Sequence, residues 1–217
     1  MSFTQLTARR RIVAARLAMA AAMAPACAAA AMLLGAAAAA ESGPPHFDQA
    51  GRMIFPADYR SWVFLSSGID MSYSRTPAMA SGHVFNNVFV PRAAYDSFQA
   101  TGKWPDGTVL MLENRGGAAD VSINKRGLVQ TGDVMGLEAH VKDLARFKSG
   151  WGFFAFDGGK PADRIPVTAT CYSCHQDHAA VDTTFVQFYP TLLPVAARQA
   201  TLSGAYLAET GARQARP

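Results

Sequence analysis

The chain has 217 residues, of which 50% are apolar and 17% charged, enough for a sizeable packed core and too hydrophobic for a disordered segment. Twenty Lys and Arg against sixteen Asp and Glu give a formal net charge of +4, but Arg9, Arg10, Arg11 and Arg16 all fall in the first forty residues, which hold no acid. The rest balances at sixteen of each sign, so the basic surface that a nucleic-acid or anionic-membrane partner needs is missing.

In chain order, residues 1–40 read as a signal peptide: a basic start, an uncharged run from Leu17, then Ala38-Ala39-Ala40 as a cleavage signal before Glu41. The run is long enough for a membrane anchor at about 20 residues, yet it is mostly alanine, which gives little transfer energy. Arg9-Arg10-Arg11 also matches a twin-arginine signal. Cleavage near Ala40 predicts a periplasmic protein with no membrane attachment, and it removes Cys27, leaving Cys171 and Cys174 as the mature thiols.

Residues 41–54 are expected to be a flexible lead-in, and Pro56 to Trp62 a short helical turn feeding Trp62-Val63-Phe64-Leu65. Small polar residues from 67 to 81 read as a loop. The β-branched and aromatic stretch 84–90 predicts a strand with Phe85 and Phe89 on one face and Val84, Asn86, Val88 and Val90 on the other. Pro91 opens a helix to about Ala100, stopped by Thr101-Gly102. Pro105-Asp106-Gly107 is a turn, 108–113 a strand, and 116–125 a polar loop. Two further strands are expected at 134–141 and 151–156, then helical turns over 168–190 and an amphipathic C-terminal tail at 196–217. The fold class is α+β: a mainly antiparallel sheet with helices packed at one side and a single C-terminal site at Cys171 to His175, in one domain over residues 55–195.

The haem reading comes from Cys171-Tyr172-Ser173-Cys174-His175, the spacing at which two thiols add across haem vinyl groups and the following histidine becomes the axial iron ligand. Three alternatives stand beside it. A structural zinc site needs four ligands, and His178 is the nearest spare candidate, with no second Cys-x-x-Cys to complete a tetrahedron. A redox dithiol would open a helix in a parallel α/β chain, and a disulfide across two residues would be strained.

The order and spacing of several blocks resemble the cytochrome P-460 and cytochrome c′-beta family of exported bacterial haem proteins. The blocks are Pro56 to Val63, Thr101-Gly102 with Asp106-Gly107-Thr108, Gly136 to Ala139 with Val141-Lys142-Asp143, Trp151 to Phe154, Cys171 to His175, and Phe188-Tyr189-Pro190. The resemblance implies a β-rich fold, a homodimer, and one covalent haem c whose five-coordinate iron is open to a small gaseous or nitrogen-oxide ligand, with a redox partner protein in reach. It places Leu112 where hydroxylamine-oxidising members carry a lysine bonded to the haem ring, and Asn86 in place of a distal arginine. Glu138 matches a family glutamate and is the candidate proton relay. Phe85 and Phe89 are the candidate aromatic caps of the distal pocket.

The expectation is therefore a nitric oxide binding or carrier protein of the cytochrome c′-beta kind. A hydroxylamine-oxidising enzyme and an electron-transfer cytochrome are the alternatives. His83, His140 and Met111 are further candidates for a sixth iron ligand.

Overall fold

The computed structural model describes residues 43–72 and 82–214. The expected signal peptide with its expected cleavage site, residues 73–81 of the expected loop, and 215–217 lie outside the described residues.

Backbone pairing joins β1 (Val63–Ile69), β2 (His83–Val90), β3 (Val109–Ala118), β4 (Val129–Lys142) and β5 (Trp151–Phe156) into one antiparallel sheet in sequence order. After β2, Pro91 cannot continue the ladder, and its carbonyl accepts the first bond of helix α1 (Arg92–Thr101) from the Tyr95 amide. Gly102, at φ 69°, takes the left-handed position that closes α1. Gly107, at φ 81°, completes the turn that launches β3. Three more helices follow the sheet: α2 (Thr170–His178), α3 (Leu193–Arg198) and α4 (Gly204–Gln214).

The sheet separates two cores. On one face Leu65, Val90, Leu110 and Trp151 pack with Phe98 of α1, Trp104, Leu192 and Val195. The other face packs Val109, Met111, Ala139, Val141, Phe154 and Phe156 beneath Met53, Tyr59 and Trp62. Alternation in β3 to β5 sets this division, with odd positions of β3 and β4 on the second face.

Several boundaries differ from expectation. Ser67 to Ile69 continue β1 rather than opening a loop, because Ser67 pairs with Asn87 and Ile69 with Phe85. Gly116 and Gly117 belong to β3, where a Cβ on Gly117 would lie 3.0 Å from the Phe85 ring. β4 begins five residues before the expected 134 because Val129 and Gln130 pair with Ala118 and Gly117.

The lead-in is anchored: Met53 is buried and exchanges backbone bonds with Ala162 at 2.8 and 2.9 Å. The expected tail from 196 is likewise built into the body. Ala196 is buried, the Ser203 amide bonds the Ala180 carbonyl at 2.7 Å, and the Thr201 hydroxyl bonds the Gly102 carbonyl at 2.8 Å.

Candidate functional site

Helix α2 leaves none of its residues fully buried. The side it turns inward, Thr170, Cys171, Cys174 and His175, faces a cavity of about 600 Å³. The i, i+3, i+4 spacing of Cys171, Cys174 and His175 places them on one helix face. Both thiols are free, and burial, then the charge of Asp177, raises the Cys174 thiol above its ordinary value. Tyr172 fixes the helix against β5: its hydroxyl donates to the Ile165 carbonyl at 3.1 Å and accepts the Phe153 amide at 3.2 Å.

The His175 ring is held by its Nδ1, 2.8 Å from the Thr183 carbonyl. A backbone carbonyl only accepts, so Nδ1 carries the proton and Nε2 keeps its lone pair for a metal. The loop that presents Thr183 O is strained and well tied. Asp182 and Thr183 sit at φ 49° and 59°. Asp182 pairs with Lys142, and the Thr184 hydroxyl takes the Trp104 indole N–H at 2.8 Å. Burial lowers the His175 pKa, although its bond to Thr183 opposes that shift, so the neutral ring is favoured.

Sheet register arranges the cavity floor in rows. The row beside His175 holds Leu110, His140 and Phe153, paired across β3, β4 and β5. The His175 ring touches Phe185 at 4.1 Å, Phe153 at 4.7 Å and His140 at 5.0 Å between centroids. The second row is Ser66, Val88, Leu112 and Glu138; the third, farthest from His175, has Gly68 and Asn86. A register shift between Phe64 and Ser66 lets Leu65 pack in the core while Ser66 and Gly68 turn to the cavity. Met71 stands over this last row.

Among the expected site residues, Cys171, Cys174, His175, Leu112, Asn86 and Glu138 meet in this cavity. Burial raises the Glu138 carboxyl above the usual carboxylate range. Asn86 donates to the Asn114 amide oxygen at 2.8 Å while its own Oδ1 is buried without a hydrogen-bond partner.

Phe85 and Phe89 do not come to the cavity. The alternation of β2 turns them to the opposite face, where Phe89 packs on Tyr59 at 5.6 Å and Phe64 at 5.7 Å, and Phe85 covers Gly117. Met111 is also buried on that face. Of the histidines weighed as sixth ligands, His83 is tied to Asp70 at 2.6 Å, and His140 stacks on Phe153 with its edge contact to His175, on the same side of the cavity. Burial holds the His140 pKa well below its ordinary value.

Residue patterns alone did not reveal the Thr183 carbonyl, Met71, or the Phe153 and Phe185 ring contacts. The period of two in Trp151 to Phe156 was the available signal for Phe153. The opposite face also holds a buried polar cluster that the sequence did not announce. Glu113 accepts from the Tyr59 hydroxyl, from Arg60 at 2.7 Å and from Arg115 at 2.8 Å. Burial would raise the Glu113 carboxyl, but its Arg115, Tyr59 and Arg60 hydrogen bonds prevail and hold it at about 2. Tyr59 is pushed up to about 12, first by burial and then by Glu113.

The sequence model of Cytochrome P460 matches residues 56–186, a span containing the five strands, α2 and the Thr183 loop. The chain belongs to the Cytochrome P460 family, which implies a haem cofactor. Comparison with curated proteins gives no match. The residues present fit a haem: two free thiols and a histidine with its metal-binding nitrogen clear share the inward face of α2, over walls of Val88, Leu110, Leu112 and Phe185. A zinc site finds no comparable donor set, since among the described residues no three His, Cys, Asp or Glu side chains converge as metal ligands and His178 pairs with Glu209 at 3.1 Å.

Proposed function

We propose that this protein is a mono-haem c-type cytochrome of the periplasm that binds nitric oxide. Cys171 and Cys174 would hold one haem through thioether bonds, with His175 Nε2 as the axial ligand. A haem held there would supply an iron that can bind a small diatomic ligand. The observation that carries the nitric oxide reading is Leu112, in the row shared with Val88 and Glu138, where a hydroxylamine-oxidising relative needs a lysine. A leucine side chain has no nucleophile to bond the haem edge and no charge to hold a polar substrate. Among the described residues the cavity lining has no lysine or arginine, which supports a neutral ligand over an oxyanion.

The chain's own polar groups then have limited roles. His175 is oriented by Thr183, Phe153 and Phe185. Glu138, with its carboxyl raised by burial, is the group placed to hold or pass a proton beside the ligand. Asn86 takes the place of a distal arginine without its charge. Export through the segment 1–40, cleavage at Ala40, a homodimer and a redox partner protein complete the reading; the basic start and Ala-x-Ala ending support export.

The test is a titration of the ferrous holoprotein with nitric oxide, alongside its reduced absorption spectrum and a hydroxylamine turnover assay. We expect an ordinary high-spin c-type spectrum, stoichiometric nitric oxide binding and negligible turnover. A main band displaced far to the red, or substantial turnover by the wild type, would establish the hydroxylamine-oxidising alternative instead.

A further inference from the structure

The aromatic caps expected over the ligand position lie on the opposite face of the sheet, so any cap over that position comes from other side chains. We infer that Met71 is the distal cap and sets the size of ligand the site admits, an inference that rests on the haem reading above.

Three observations place it there. The first is position. Gly68 and Asn86 pair across β1 and β2, and Asn86 pairs with Asn114 of β3. Leu110, in the row beside His175, lies four residues earlier in β3, about 13 Å along a strand. Met71 lines the cavity with Gly68 and Asn86, at the end away from His175.

The second is space. A Cβ on Gly68 would lie 2.0 Å from the Met71 sulfur and 2.7 Å from its Cγ. Any side chain at residue 68 would displace the thioether, so glycine here makes the seat on which Met71 rests. The Leu65 irregularity turns that seat toward the cavity.

The third is the turn that delivers Met71. Asp70 adopts φ 50°, a left-handed conformation that aspartate tolerates better than most residues. It is clamped to β2 from both its backbone and its carboxylate. The Asp70 amide donates to the Val84 carbonyl at 2.8 Å, its Oδ1 accepts the Val84 amide at 2.9 Å, and its Oδ2 meets His83 Nδ1 at 2.6 Å. The chain thus leaves the sheet at Ile69 and folds back over Gly68.

Met71 is 39% exposed, so it stands at the mouth of the cavity. A thioether has three rotatable bonds and a polarisable sulfur, and it yields to a ligand more readily than an aromatic plate. Such a cap passes a diatomic ligand and hinders a longer one.

The experiment uses the full-length holoprotein, with carbon monoxide and n-butyl isocyanide as probes and flash photolysis to measure association rates. For Met71→Ala, the isocyanide rate should rise about tenfold, and the carbon monoxide rate less than about threefold. Gly68→Ala should shift the ratio of the two rates in the same direction by moving the cap. Met71→Leu, close in volume, should leave the ratio near the wild-type value. Covalent haem with an unchanged ratio in both Met71→Ala and Gly68→Ala overturns the cap and leaves the haem reading intact. A purified chain with no attached haem overturns both.

Discussion

At the scale of single residues, the clearest energetic commitment is Glu113. Its side chain is 3% exposed, and its charge is met by Arg60, Arg115 and the Tyr59 hydroxyl. Removing that charge leaves Arg115, 16% exposed, without its partner, while Arg60 at 57% exposure stays solvated, so the cost is about 1–3 kcal/mol. Glu113→Gln should therefore lower the denaturation midpoint strongly, as read by urea unfolding of the purified protein. The pH dependence has a fixed sign. The folded carboxyl is depressed from 4.5 to about 2, so its stabilisation is complete above the unfolded value and is lost as pH falls from about 4.5 toward 2. Glu113→Gln should flatten that acid limb, and an unchanged acid limb would show that the cluster contributes nothing there. In the cavity, His175→Ala should keep the haem attached through both thiols while removing the axial nitrogen, seen as a changed ferrous spectrum with an unchanged haem-to-protein ratio.

Among the elements, the helix that carries the motif is positioned from outside itself. α2 has no fully buried residue, and its hold on the body comes from its own Tyr172, bonded to Phe153 of β5 and to Ile165, and from the stretch that follows it. That stretch extends beyond Pro194: Ala196 is buried, and Ser203 bonds both Ala179 and Ala180 next to the end of α2. A chain ending at residue 195 should thus unfold at a lower temperature and load less haem than the full chain. Equal midpoints and equal haem content in the two would show the segment to be dispensable after all. Trp104→Phe keeps most of the apolar volume but loses the bond to the Thr184 hydroxyl. It should cost about 0.5–1.5 kcal/mol, the net worth of one hydrogen bond, because the buried Thr184 hydroxyl keeps its bond to the Val181 carbonyl at 2.6 Å.

For the whole molecule, the sheet assigns its two faces to different tasks, with the cavity and α2 on one and the Glu113 cluster on the other. Much of this was legible beforehand. Alternation in Val84 to Val90 identified a strand, the apolar run Trp151 to Phe156 another, Pro91 and Gly102 bracketed a helix, and the motif spacing put Cys171, Cys174 and His175 together. What alternation alone leaves undecided is which face of a strand meets the helices. Phe85 and Phe89 were grouped correctly with each other yet assigned to the cavity, because the family resemblance implied aromatic caps and these are the aromatic residues of that strand. A register shift in β1 and a left-handed Asp70 bring Met71 to the cavity, and neither has a pattern that a reading of residue types detects. The Thr183 carbonyl is invisible for a further reason: it is a backbone group, and any residue in that position supplies it.

The central claim is that Cys171, Cys174 and His175 make a covalent haem site, and extraction of the protein with acidified organic solvent tests it most directly. The purified wild type should keep its haem with the precipitated chain, with intact mass raised by one haem. Cys171→Ser with Cys174→Ser should release any bound haem into the solvent. Free haem in the organic layer from the wild type, or a wild-type chain with no added mass, would contradict the account.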